Sequence, residues 1–180
     1  MTAPAPALPR VTDLLPHRYP MLLVDRVTEL VPGERIRTVK AVTLNEPWYA
    51  GMPADAPFDY PPSLLVESWG QSAGLLASAV AAAPRGQVML FGSVADAAFH
   101  LPVLPGDVIE HRVSITRALT DSVIFEGSSH RGDDTVMTVT RMVMAFRAAE
   151  LLRPADPADP AAAPAGTRPP TPSSPGKAVR

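Results

Sequence analysis

Glu67 is the residue of this chain best placed to do proton chemistry. It is the last charged residue before a run of apolar and small residues that continues to Ala83, and Gln71 follows one helical turn later on the same face. A carboxyl group in an apolar environment suits general-acid work. A carboxylate near the start of a helix is also favourable for stability alone, by about 0.3–1 kcal/mol. The sequence leaves both roles open.

Candidate bases are less well placed. Asp55 and Asp59 lie in a proline-rich loop, where either could act as a base but where carboxylates are usually just solvated. The four histidines are scattered and show no metal-ligand spacing. His111 alternates in step with Ile109 and Val113, which predicts a hydrogen-bonded core residue.

The elements that must position these groups are one helix and several strands. Residues 63–83 lack proline, are rich in alanine and leucine, and precede the Pro84-Arg85-Gly86 stop, which predicts a buried helix of about five turns. The strand candidates are residues 21–31, 34–44, 88–100, 107–118, 122–130 and 135–147. The last two are joined by a predicted hairpin turn at 131–134. This order predicts an α+β fold in which an antiparallel sheet wraps around a long central helix.

Composition sets the outer limits. We expect a flexible start at 1–10, one folded domain at 11–150 and a disordered Pro/Ala-rich tail at 151–180. The formal charge of −2 provides no basic surface for nucleic acid or anionic lipid. No apolar run approaches the roughly 20 residues of a membrane helix. The absence of cysteine excludes disulfides and thiolate sites, and we expect a soluble cytoplasmic protein.

Four segments resemble the 3-hydroxyacyl-[acyl-carrier-protein] dehydratases of the FabZ/FabA type. They are residues 15–27, which begin Leu-Pro-His-Arg-Tyr-Pro, and residues 45–51, 64–71 and 99–107. The resemblance implies a dimeric hot-dog fold with an acyl tunnel at the subunit interface. It also implies a substrate carried on the phosphopantetheine of an acyl carrier protein, with no other cofactor. The reaction needs a base for the α-proton, an acid for the departing hydroxyl and donors for the thioester oxygen.

Only part of that machinery is present. Glu67 matches the acid of the family, but the position of its histidine base falls on Met52 or Pro53, because the loop is one residue longer here. The oxyanion glycine is replaced by Pro62, which has no N–H to donate. The residues expected to contact substrate are Gln71, Met52, Pro53, Pro62 and Trp69. His17, within the first family segment, is expected to be a packing and hydrogen-bonding residue.

The resemblance therefore favours a dehydratase subunit that is inactive alone. It would supply Glu67 to a histidine-bearing hot-dog paralogue, in fatty acid or polyketide biosynthesis. Residues 97–101 lack the basic side chains with which the family meets its acidic carrier protein, so direct docking there is expected to be weak. One alternative is a non-catalytic acyl-binding scaffold. Another is a self-sufficient dehydratase or isomerase with Asp55 or Asp59 as the base.

Overall fold

The computed structural model of the chain describes residues 8–53, 55–80 and 87–152. The expected flexible start and Pro/Ala-rich tail fall almost wholly outside these ranges, as do residues 81–83 of the expected helix. The helices and strands are α1 (Val11–Leu14), β1 (Arg26–Val31), β2 (Arg35–Ala41), α2 (Pro62–Val80), β3 (Gln87–Phe99), β4 (Val108–Ala118), β5 (Ser122–Arg131) and β6 (Asp134–Ala148). Short 3₁₀ turns lie at Pro47–Tyr49 and Ala149–Leu152.

The six strands form one antiparallel sheet in the order β1-β2-β4-β5-β6-β3. The burial pattern of β4 is that of a strand with one face towards the core. Ile109, His111 and Val113 are buried on one face, and the residues between them are more exposed. Strands β5 and β6 form the expected hairpin, whose tight turn places Gly132 at φ +57°. The predicted α+β fold with an antiparallel sheet is confirmed.

Helix α2 packs against β2, β3, β4 and β5 and carries much of the core. Trp69, Ala73, Leu75 and Leu76 are fully buried, and the small residues between them let the sheet approach closely. The helix begins at Pro62, one residue before the expected start, because the first turn of a helix does not need the N–H that proline lacks. No helix in the described ranges is both long enough and apolar enough to cross a membrane.

Residues 15–23, here called the strap, pack on α2 and do not join the sheet. The prediction of a strand over 21–31 is therefore wrong for residues 21–25, and β1 begins only after them. The backbone N–H of Leu23 donates to the side chain of Gln71, and the carbonyl of Leu23 accepts from Ser68. Because side chains of α2 satisfy this backbone, the strap needs no neighbouring strand.

Strand β3 forms one edge of the sheet. Among the described residues it pairs only with β6, so its other side is open. Phe91, Val94 and Phe99 on this strand are each more than a third exposed. An open apolar edge presents unpaired backbone N–H and C=O groups that a strand from another chain can bind.

Candidate active site

Glu67 faces a cavity of about 430 Å³, which we call the acid cavity, between α2, the strap and the start of β3. Apolar side chains from these elements and from β6, among them Leu15, Met89 and Phe146, form most of its wall. The Glu67 side chain is 33% exposed, so a ligand in the cavity can reach its carboxyl group. The arrangement places one acid against a space suited to an apolar chain.

Gln71 fixes the orientation of Glu67. Its Nε2 donates to Oε1 of Glu67 at 2.9 Å and to the carbonyl of Met21 at 2.7 Å, and its Oε1 accepts from the backbone N–H of Leu23 at 2.9 Å. The side chain is buried, and both amide hydrogens are used. Gln71 lines the acid cavity, as expected of a substrate contact, but it positions the acid and the strap and has no free donor for a ligand.

His17 is the second titratable side chain in the wall of the acid cavity. The strap brings its Nε2 to 3.7 Å from Oε1 of Glu67. Its Nδ1, by contrast, is buried and has no hydrogen-bond partner among the described residues. The sequence predicts a packing and hydrogen-bonding role for His17. It does not predict Glu67 as the neighbour, because the two residues lie far apart in the chain and no local pattern links them.

Behind the acid, buried hydroxyl and imidazole groups tie α2 to the strap and the sheet. Ser68 donates its hydroxyl hydrogen to the carbonyl of Leu23 at 2.7 Å, so Nε2–H of His111 donates to Oγ of Ser68 at 2.8 Å. Nδ1 of His111 then accepts from the hydroxyl of Ser129 at 2.8 Å. Burial, aided by the charge of Lys40, lowers the pKa of His111 to about 3, so the ring is neutral. The predicted core role of His111 is confirmed.

Two glycines of α2 make room for the acid cavity. Gly70 and Gly74 lie one turn apart in its wall. A Cβ at Gly74 would lie 3.4 Å from both Leu15 Cδ2 and Met89 Cε, and a Cβ at Gly70 would lie 3.3 Å from Phe91 Cε2. A larger side chain at either position would therefore take up space in the cavity.

The loop before α2 brings no histidine to the acid cavity. Met52 is half-buried against the core, Pro53 is exposed, and neither lines the cavity. Pro62 lines a second cavity of about 360 Å³ together with Asp59. Asp55 is exposed and lies in neither cavity. Within one chain, the structure does not bring the expected base and oxyanion positions to the acid.

Trp69 lies in the core and not in the wall of the acid cavity. Side chains two residues apart on an α-helix point to nearly opposite sides. Trp69 lies two residues from both Glu67 and Gln71, so it points away from the face that they share. Its ring packs against Gly127 of β5, where an added Cβ would come within 3.2 Å of Trp69 Cζ2. In this structure Trp69 supports the helix and does not form the expected substrate contact.

Comparison with known proteins identifies the family. Residues 15–140 match the FabA-like domain family. The 3-hydroxyacyl-[acyl-carrier-protein] dehydratase FabZ of Rhizorhabdus wittichii is 41% identical over 125 residues, which are 69% of this chain and 79% of that protein. The FabZ of Geobacter metallireducens is 45% identical over 107 residues, 59% of this chain and 71% of that protein. This chain belongs to the FabA-like family. The resemblance drawn from its sequence is confirmed.

Solved structures establish the fold of this FabA-like chain. The dehydratase heterocomplex ApeI:P from Xenorhabdus doucetiae matches with a TM-score of 0.66 over 81% of this chain and 96% of that chain, at 15% identity. The fluoroacetyl-CoA thioesterase FlK matches with a TM-score of 0.56 over 69% of this chain and 93% of that chain, also at 15% identity. At such low identity these matches show the fold alone. The predicted hot-dog fold is confirmed.

Proposed function

We propose that this chain is a subunit of a heteromeric dehydratase that acts on 3-hydroxyacyl-carrier-protein thioesters in fatty acid or polyketide biosynthesis. Glu67 donates the proton that leaves with the substrate hydroxyl, and a histidine of a paralogous hot-dog subunit removes the α-proton. The observation that carries this proposal is the retained acid. Its carboxyl group is oriented by Gln71 in an apolar cavity, to which its own loop brings no base.

Three further observations support a partner subunit. The chain's FabZ relatives are dehydratases, and one solved structure with the same fold is a dehydratase heterocomplex. By the resemblance to the family, its base falls on Met52 or Pro53 and its oxyanion N–H on Pro62, so we expect a partner to supply both functions. The open edge of β3 offers a surface on which a second subunit can pair.

The acid cavity is suited to the acyl chain of the substrate, whose thioester end remains on the phosphopantetheine of the carrier protein. No other cofactor is needed, because elimination of water requires only proton transfers and hydrogen-bond donors. Asp55 and Asp59 do not share a cavity with Glu67 within one chain, so the self-sufficient alternative requires one of them to reach Glu67 of a second copy.

The test is to co-express the chain with a histidine-bearing hot-dog paralogue and to assay the complex. Conversion of a 3-hydroxyacyl-carrier protein to the enoyl product is followed by mass spectrometry. Glu67→Gln is expected to lower kcat by about 10²–10⁴-fold while the complex still assembles. Asp59→Asn is the matched control, because it also removes a carboxylate charge but lies on the second cavity, and it is expected to leave kcat unchanged.

Each other outcome has a definite meaning. Full activity of the Glu67→Gln complex would contradict the proposal, and Glu67 would then be structural. Loss of activity in Asp59→Asn alone would favour the relocated base. If no combination turns over but the chain still binds acyl thioesters, the scaffold function would be correct. The chain alone is expected to turn over poorly, because it lacks both a base and an oxyanion donor.

A further inference from the structure

The two ring nitrogens of His17 lie in different environments. Nδ1 is buried and unpartnered among the described residues, whereas Nε2 faces Oε1 of Glu67 across 3.7 Å. A buried N–H without an acceptor is rarer in proteins than an acceptor without a donor. In the neutral ring the hydrogen therefore belongs on Nε2, the nitrogen that lies 3.7 Å from Oε1 of Glu67.

The two oxygens of Glu67 are also distinct. Oε1 accepts from Nε2 of Gln71 at 2.9 Å and faces the N–H of His17, whereas Oε2 accepts no hydrogen bond from the described residues. A protonated carboxyl group has one carbonyl-like oxygen that accepts and one hydroxyl oxygen that donates. The hydrogen bond from Gln71 to Oε1, with Nε2 of His17 near the same oxygen, favours Oε1 as the acceptor and Oε2 as the site of the transferable hydrogen.

We propose that His17 is a positioning residue for Glu67, which donates from Nε2 to Oε1 and so assigns the reactive proton to Oε2. This inference rests on the proposed function, because it specifies how the acid of that reaction is held. The present 3.7 Å separation is longer than a hydrogen bond of about 2.9 Å, and catalytic hydrogen bonds are often long before a substrate closes the site.

The proton step balances in this arrangement. The O–H bond at Oε2 breaks as the C–O bond to the substrate hydroxyl breaks, and the hydroxyl leaves as water. The negative charge left on the Glu67 carboxylate is stabilised by the donors from His17 and Gln71 at Oε1. In the neutral tautomer with its hydrogen on Nε2, the only basic lone pair of His17 is on the buried Nδ1, so His17 does not replace the missing base. The α-proton is still removed by the partner's histidine.

Two amide substitutions at His17 separate this role from a packing role. The amide nitrogen of a glutamine reaches the position of the histidine Nε2, whereas that of an asparagine reaches only the position of Nδ1. In the assembled complex, His17→Gln is expected to keep kcat within about threefold. His17→Asn and His17→Leu are expected to lower kcat about tenfold with little change in KM, because one hydrogen bond to the acid is lost. A tenfold loss corresponds to about 1.4 kcal/mol.

A second readout does not depend on turnover. The infrared C=O stretch of protonated Glu67 in the full chain is isolated by subtracting the spectrum of the Glu67→Gln variant. His17→Asn is expected to move this band to higher frequency and His17→Gln to leave it in place, because only Asn removes the donor at Oε1. Absence of a protonated carboxyl band in the wild type, or an unmoved band in His17→Asn, would overturn the inference.

Failure of this inference is distinguishable from failure of the proposed function. If Glu67→Gln is inactive but His17→Asn and His17→Gln have equal kcat, the acid is real and His17 does not position it. If Glu67→Gln is fully active, the proposed function fails as well. Melting temperatures are measured for every variant. A His17→Asn complex that is folded and fully active refutes the positioning role.

Discussion

The stability of the fold depends on pH through His111, which is enclosed between α2, β4 and β5. Burial lowers the pKa of this imidazole from 6.5, its ordinary value, to about 3 in the folded chain. Because the folded pKa is below the unfolded one, the unfolded chain binds a proton between these values and the folded chain does not. The contribution of His111 to the free energy of unfolding is therefore complete above about pH 6.5 and declines as the pH falls.

The loss of stability at low pH can be calculated from the one additional proton that the unfolded chain binds. A difference of one bound proton changes the free energy of unfolding by about 1.4 kcal/mol per pH unit. Because the unfolded imidazole is only half protonated at pH 6.5, roughly 2 kcal/mol is lost between about pH 6.5 and pH 4.5. That loss is a large share of the 5–15 kcal/mol that typically separates folded from unfolded domains. His111→Gln removes the titrating group, and we expect it to remove this slope as well.

Urea unfolding across this pH range measures the slope. His111→Gln is expected to be less stable than wild type at neutral pH, because Ser68 and Ser129 lose an imidazole partner. Its stability is also expected to fall less steeply towards low pH, by about 1.4 kcal/mol per pH unit. The control is the same change at the exposed His100, which leaves the buried network intact. Equal slopes in wild type and His111→Gln would refute the argument.

Two further substitutions, measured by urea unfolding, test a close approach of the backbone and a buried ion pair. Gly127 has φ +154°, and an added Cβ would lie 2.0 Å from the carbonyl oxygen of Arg112, so Gly127→Ala is expected to destabilise the fold by about 3 kcal/mol. Gly106→Ala, at φ +101° in open space, is the control and is expected to lose only about 1–2 kcal/mol. Lys40→Met removes the cation from the largely buried carboxylate of Glu46, which keeps only the N–H of Thr43, and is expected to lose about 3 kcal/mol, part of which the double variant with Glu46→Gln regains. An equal loss in the single and double variants would contradict this explanation.

Local pattern was enough to predict most of the fold. The period of two along β4, the turn signal at Gly132 and the proline-free apolar run of α2 each depend on neighbours in the chain, and the structure has all three elements. The strand prediction fails at residues 21–25 for the opposite reason. Within this segment the backbone of Leu23 and the carbonyl of Met21 bond to side chains of α2, and no pattern within the segment itself reports a contact so distant in sequence.

In the candidate site, too, contacts between neighbours in the chain were predictable, and contacts between distant residues were not. The pair Glu67 and Gln71 follows from helical spacing, and their hydrogen bond confirms that they share a face. Trp69, two residues from Glu67, lies on nearly the opposite side of the helix and packs in the core, so the predicted substrate contact is not formed within this chain. The approach of His17 depends on how the strap packs, which a single sequence does not show.

The open edge of β3 ties the solubility of the chain to what surrounds it during synthesis. An apolar strand of 13 residues with one unpaired side is a template on which further strands can pair. When this chain is made in excess of a partner subunit, those strands come from other copies of the same chain. Strand β3 has no proline to interrupt such growth and one charged residue, Asp96, to oppose it. Chains that gain strands one after another accumulate as aggregates, whereas a second subunit on β3 ends the growth after one step. In the proposed heteromeric assembly, the ratio in which the two chains are produced is therefore expected to decide how much of this one stays in solution.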